Sequence, residues 1–163
     1  MTDTQFDIAV IGGGPGGYVA AIRATQLGLK PVVIERENLG GICLNWGCIP
    51  TKALLRAAEL RHSIDEMADF GITVGEVKVD LLAVVKRSRK VAGRLTMGVK
   101  HLLKKNKVTV IAAEAKLGVA KGGLRQINLS NGDVVSAKNV IIATGARARA
   151  LPNIAANGKT ILT

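Results

Sequence analysis

Aromatic side chains are nearly absent: Phe, Tyr and Trp make up 2% of the 163 residues, with a single tryptophan. The core must therefore be assembled from Val, Ile, Leu and Ala, a composition that suits a parallel sheet covered by helices. Cysteine is as scarce, with two residues, Cys43 and Cys48. No disulfide framework can hold such a fold, and a chain of this length can bury a real core without one. Histidine is also limited to two residues, His62 and His101. With no second cysteine pair to join them, the usual zinc ligand sets cannot form, and no metal site is expected. No apolar run approaches the roughly 20 residues that span a bilayer, and Met1–Asp7 lacks the basic-then-apolar order of a secretory leader. A cytoplasmic protein is expected, in which paired thiols stay reduced unless they work by cycling.

Acid is the minority charge, 12 Asp and Glu against 23 Lys and Arg for a net charge of +11. Between Lys78 and Lys107 ten basic residues face Asp80 alone. The same segment carries Leu81, Val85, Ser88, Ala92, Leu95, Val99 and Leu102 at alternating steps of four and three, one mostly apolar stripe on a long helix. We read its lysines as a solvated helix face, in preference to a nucleic-acid or anionic-membrane surface. The lack of aromatic residues for base stacking counts further against RNA.

Glycine, by contrast, is abundant, and its densest cluster is near the start. Phe6–Ile11 is an apolar run of strand length, followed at once by Gly12-Gly13-Gly14-Pro15-Gly16-Gly17 and a helical stretch that Gly28 stops. Gly12, Gly14 and Gly17 fit G-x-G-x-x-G. The first permits the turn, the second lets a pyrophosphate approach the backbone, and the third lets helix and strand pack closely. A second strand, Pro31–Glu35, ends in an acid 18 residues after Gly17, close to the spacing of a carboxylate that grips ribose hydroxyls. The complete strand–turn–helix–strand pattern points to dinucleotide binding over a mere glycine turn. An acid at Glu35 disfavours a cofactor with a 2′-phosphate but does not separate FAD from NAD.

Cys43 and Cys48 bracket Leu44-Asn45-Trp46-Gly47. A ring this small gains little loop entropy, so stabilisation is a poor reason for the pair and redox exchange a better one. Pro50 suits a first helical turn and Ala53–Leu60 is strongly helical, which puts Cys48 near a helix N-terminus where a thiolate is favoured. Lys52 adds a nearby positive charge, the alternative being an ordinary solvated helix lysine. Downstream, Val108–Glu114 reads as a third buried strand. The runs 116–119, 125–129 and 134–137, with Asn131-Gly132 between the last two, read as an antiparallel meander over about 115–138. Val140–Ala146 is then a strand followed by a tight turn; taken alone, Thr144-Gly145 is an ordinary strand exit.

The glycine motif followed closely by Gly40-Gly41-Ile42-Cys43-Leu44-Asn45-Trp46-Gly47-Cys48-Ile49-Pro50-Thr51-Lys52 resembles the class I flavoprotein disulfide reductases of the pyridine nucleotide-disulfide oxidoreductase family. Within them it is most similar to the dihydrolipoamide dehydrogenases, since glutathione and mercuric reductases usually carry Val where this chain has Leu44 and Ile49. The resemblance implies a Rossmann-like α/β FAD-binding domain with a parallel sheet, a long helix pair and a small antiparallel meander. It would be incomplete, with 1–150 the N-terminal part of that domain and 151–163 the start of a connection to an NAD-binding domain outside these residues. Gly12, Gly14, Gly17 and Glu35 would hold the ADP half of FAD, and Ala143-Thr144-Gly145 would be the second FAD fingerprint. Cys48 would be the thiolate nearer the flavin, Cys43 the interchange thiol, and Lys52 the neighbour of flavin N5. Electrons would pass from dihydrolipoamide through Cys43 and Cys48 to FAD and then to NAD. The implied partners are the lipoyl-bearing acyltransferase of a 2-oxo acid dehydrogenase complex and a second subunit in a homodimer. The alternatives are a flavin-binding segment without turnover of its own, or another disulfide reductase of the family.

Overall fold

The computed structural model describes residues 4–161. Met1–Asp3, from the stretch read above for a leader, and residues 162–163, from the expected connection, lie outside it. At the centre runs β1 (Thr4–Ile11), parallel to β2 (Pro31–Glu35) on one side and to β6 (Val134–Ile142) on the other. Beyond β2 lies β3 (Thr109–Ala112), also parallel. Beyond β6 the sheet continues antiparallel through β5 (Leu124–Leu129) and β4 (Ala115–Lys121). The order is β3-β2-β1-β6-β5-β4 in one six-stranded sheet.

Continuous apolar runs form the inner strands because both faces are covered. In β2 the side chains alternate, Val32 and Ile34 joining Phe6, Ala9, Ile127 and Val135, while Val33 turns to the opposite cluster with Val10. Helices supply the rest of that second cluster, Ala21 from α1 (Pro15–Gln26) and Val99 and Leu103 from α4 (Leu81–Lys105).

The third strand, expected to be buried, is instead the mostly exposed edge strand β3, with Val110 39% exposed. Two further expectations need correction. The runs 134–137 and 140–146 are not separate elements: residues 134–142 are one strand, β6, which pairs with β5 over its first half and with β1 along its length. The polar pair Lys138-Asn139 made the sequence look interrupted, yet the Lys138 Nζ simply reaches the Asp7 carboxylate at 2.8 Å. That contact, with the Lys30 N–H donating to the same carboxylate at 2.8 Å, holds Asp7 below the usual carboxylate range. The second correction concerns α4. Ser88, Ala92 and Val99 are buried as expected, but Leu103 continues the row, and Leu81 is 69% exposed with Val85, Leu95 and Leu102 also open. The expected stripe has a period of 3.5, from which a straight α-helix drifts away over 25 residues.

Asp80 caps α4 by accepting from the Ala83 N–H at 3.0 Å. Ahead of it, α2 (Gly41–Asn45) and α3 (Cys48–Asp65) form a broken pair, with α3 lying along α4. Among the described residues no helix is long and apolar enough to cross a membrane. Two glycines interrupt α4, Gly93 and Gly98, and a β-carbon on either would meet open space. Gly93→Ala and Gly98→Ala should each raise the unfolding free energy by about 0.5–1 kcal/mol, read from urea denaturation midpoints. Unchanged midpoints for both would contradict the open face assigned to this helix.

Candidate functional site

The site begins where β1 stops. Gly12 has a φ of +106° and donates its N–H to the Ile34 carbonyl at 2.8 Å, which turns the chain across the end of β2. A β-carbon on Gly12 would collide with the Ala143 carbonyl oxygen, and one on Gly17 with the Gly12 carbonyl oxygen. Gly14 is different. It is the N-cap of α1, with Pro15 next, and the nearest atom to a β-carbon there is the Gly41 Cα at 3.9 Å. The first and third motif glycines are thus required by the chain itself, while at the second a β-carbon would meet only an ordinary contact.

Glu35, at the end of β2, accepts from the Gly13 N–H at 2.6 Å through Oε2 and from the Glu37 N–H at 2.8 Å through Oε1. Each carboxylate oxygen keeps a lone pair for a further donor. On the other flank, β6 is followed by Ala143-Thr144-Gly145. Since β1, β2 and β6 are parallel and in register at Ile11, Ile34 and Ile142, their exits meet at one edge, the usual location of a ligand crevice in open α/β sheets.

A cleft of about 710 Å³ opens there, within the range of cofactor sites. Of the residues expected from sequence, Gly14, Glu35, Cys43, Cys48, Thr144 and Gly145 line it. Gly12 and Gly17 stand behind the wall and shape it. Lys52 is exposed and lies outside the lining, one turn after Cys48 on α3, although its charge reaches Cys43. Sequence reasoning missed the mouth, where Arg147 and Glu37 pair at 3.5 Å beside Arg36. Their only signal is position, each falling within two residues of a strand end or fingerprint. His62 pairs with Glu66 on the exposed side of α3, and among the described residues no cluster suited to a metal ion occurs.

The two thiols reach the cleft from different helices. Cys43 lies in α2 and is half-buried; Cys48 is the first residue of α3 and is exposed. Both are free thiols. Hydrogen bonding to the Cys48 sulphur pushes the Cys43 thiol up, burial and the Cys48 charge push the same way, and the Lys52 ammonium opposes them. Trp46, the only tryptophan, lies between the thiols in sequence and lines the same cleft.

Residues 6–162 match the family described as Pyridine nucleotide-disulphide oxidoreductase. The chain is 53% identical over 159 residues to the dihydrolipoyl dehydrogenase of Zymomonas mobilis, an alignment covering 98% of this chain and 34% of that protein. Its identity to the dihydrolipoyl dehydrogenase of Rhizobium etli is 53% over 176 residues, with 98% and 36% covered. The crystal structure of LpdA from Mycobacterium tuberculosis superposes with a TM-score of 0.86 at 27% identity, over 98% of this chain and 35% of that one. The Rossmann-like α/β fold expected from sequence is thus shared with LpdA, and the chain spans about a third of the length of the curated relatives it matches.

Exposure and the upward push on Cys43 order the reactivity of the two thiols, since the thiolate is the nucleophile. Around pH 8, iodoacetamide should modify Cys48 ahead of Cys43, and the Cys43 rate should keep rising above the pH at which an ordinary thiol levels off. Peptide mass mapping over a pH series reads both, and a Cys43 that leads throughout would contradict the assigned environment.

Proposed function

The chain belongs to the pyridine nucleotide-disulphide oxidoreductase family, and from that premise we propose that its cleft binds FAD and that Cys43 and Cys48 form a redox-active disulfide which oxidises dihydrolipoamide. One observation carries this reading: both cysteines open into the same cleft as the glycine motif, Glu35 and Thr144-Gly145. The residues fit the group. Gly14 leaves room for a phosphate against the backbone, the N-terminus of α1 favours its charge, and Glu35 has lone pairs free for ribose hydroxyls. Gly12 and Gly17 hold the loop in shape, and Thr144 and Gly145 form the opposite wall. When bound, the flavin supplies a two-electron acceptor that a thiol pair lacks.

The chain's own residues perform the sulphur chemistry. A thiolate of dihydrolipoamide attacks the Cys43 sulphur, the bond between Cys43 and Cys48 breaks, and its electron pair goes to the Cys48 sulphur. The second substrate thiol then attacks the mixed disulfide, releasing lipoamide and leaving Cys43 to take a proton. The upward push on Cys43 supports this division of labour: Cys43 holds its proton more firmly than an ordinary thiol, and Cys48 stands first in α3 with Lys52 one turn away. NAD would be the final acceptor, at a site outside these residues, with a lipoyl-bearing acyltransferase as donor and a homodimer as the working form. We take residues 1–150 as the N-terminal part of the FAD domain. A second reading, a flavin-holding segment without full turnover, is favoured by the third-length coverage of the relatives.

FAD titrated into the chain should quench Trp46 fluorescence, because the indole lines the proposed site. Gly14→Ala should weaken that binding at least tenfold while changing the unfolding free energy by no more than about 1 kcal/mol, since the cap tolerates a methyl group. Equal loss of fold and binding would sink the assigned role of Gly14. Dihydrolipoamide added to the oxidised chain should yield two alkylatable thiols at Cys43 and Cys48 by mass spectrometry; a pair that stays blocked would refute the proposed chemistry.

A further inference from the structure

Between the two cysteines lies a residue that neither the glycine motif nor the thiol chemistry accounts for. Asn45 ends α2, and its side-chain NH2 donates to the Leu39 carbonyl at 3.1 Å and the Gly41 carbonyl at 2.9 Å. Carbonyls only accept, so the amide has one orientation, with Oδ1 turned toward α4. There the Thr96 hydroxyl donates to it at 3.3 Å. The Asn45 backbone carbonyl accepts from the Arg89 guanidinium at 3.0 Å. Close by, Arg87 donates to the Ala53 carbonyl of α3 at 3.2 Å. A helix far away in sequence therefore grips both short-range neighbours of the thiols, α2 through Asn45 and α3 through Ala53.

We propose that Asn45, held by Thr96 and Arg89, is a positioning residue that fixes the approach of Cys43 to Cys48 and so sets how readily their disulfide forms. This rests on the redox reading of the pair given above. Cys43 and Cys48 belong to separate helices joined by Trp46-Gly47, whose N–H groups both donate to the Ile42 carbonyl at 2.9 and 2.7 Å. Those two bonds close α2 on itself but do not tie it to α3. Asn45 is the side chain at this joint, and its partners on α4 stop α2 from swinging. In the oxidising direction Cys43 and Cys48 lose two protons and two electrons as the sulphur–sulphur bond forms, and oxidised dithiothreitol takes both to become the dithiol. The equilibrium constant of that exchange reports the effective concentration of one thiol at the other, which falls when the joint is loosened.

The test uses the full chain equilibrated in dithiothreitol redox buffers, with the disulfide fraction counted by alkylation and mass spectrometry. Thr96→Val keeps the shape and removes the hydroxyl, and should lower the constant about threefold to tenfold, the worth of one hydrogen bond. Thr96→Ser should restore it. Urea midpoints measured alongside separate this from general weakening, because a merely structural hydroxyl would lower the midpoint and leave the constant where it was. If the valine variant does not fold, Arg89→Met, at an exposed position, carries the same expected fall. A wild-type constant in these variants overturns the inference while the redox reading stands. A wild-type chain that forms no disulfide in any buffer removes both.

Discussion

Where β1 ends, Gly12 lies so close to the Ala143 carbonyl that no β-carbon fits between them, and Gly17 lies as close to the Gly12 carbonyl. The first contact fixes the exits of β1 and β6 against each other, and the second seats the first turn of α1 on the exit of β1. The rest of the site is attached in sequence. The Gly13 carbonyl accepts from the Gly40 N–H at 2.8 Å, which brings the start of α2 to the glycine loop, and the Gly13 N–H anchors Glu35. Cys43 is three residues beyond Gly40, so a steric requirement at the end of a strand decides where the first thiol stands.

The excess of positive charge has more than one use. Two arginines of α4, Arg87 and Arg89, reach across the surface to main-chain carbonyls of the thiol-bearing helices, at Ala53 and Asn45. An arginine serves this role because its planar fork keeps donors to spare for water after one is committed. Arg36 and Arg147 line the cleft instead, where Arg147 pairs with Glu37 at 3.5 Å and Glu35 balances the second charge. The basic helix is therefore partly a structural brace, which composition alone presents as surface.

Local patterns carried most of the fold. The glycine turn, the strand ending at Glu35, the helix start at Cys48 and the Asn131-Gly132 hairpin all announce themselves within a few residues, because each is set by backbone sterics or by the period of the apolar residues. What escaped reading was long-range. That β6 continues through Lys138-Asn139 follows from its pairing with β1, where Lys138 meets Asp7 across the sheet. That Leu103 packs and Leu102 does not depends on the accumulated rotation of a long helix. Of the site, the cleft residues on the motifs were legible, while Arg147, Glu37 and the Asn45 contacts with Thr96 and Arg89 were not. Each of those joins segments that no short window contains.

The pairing of β1 with β6 carries a consequence for how this chain is made. Asp7 and Lys138 are 131 positions apart, and their strands are direct neighbours. At roughly 5–20 residues per second, a ribosome takes on the order of ten seconds to deliver the second strand after the first. Throughout that interval β1 and β2 present an apolar open edge with half of its backbone groups unsatisfied. Closure of the sheet, and with it completion of the cleft wall at Thr144-Gly145, waits until β6 has been made. The thiols of α2 and α3 are thus exposed on the nascent chain well before the pocket that confines them exists.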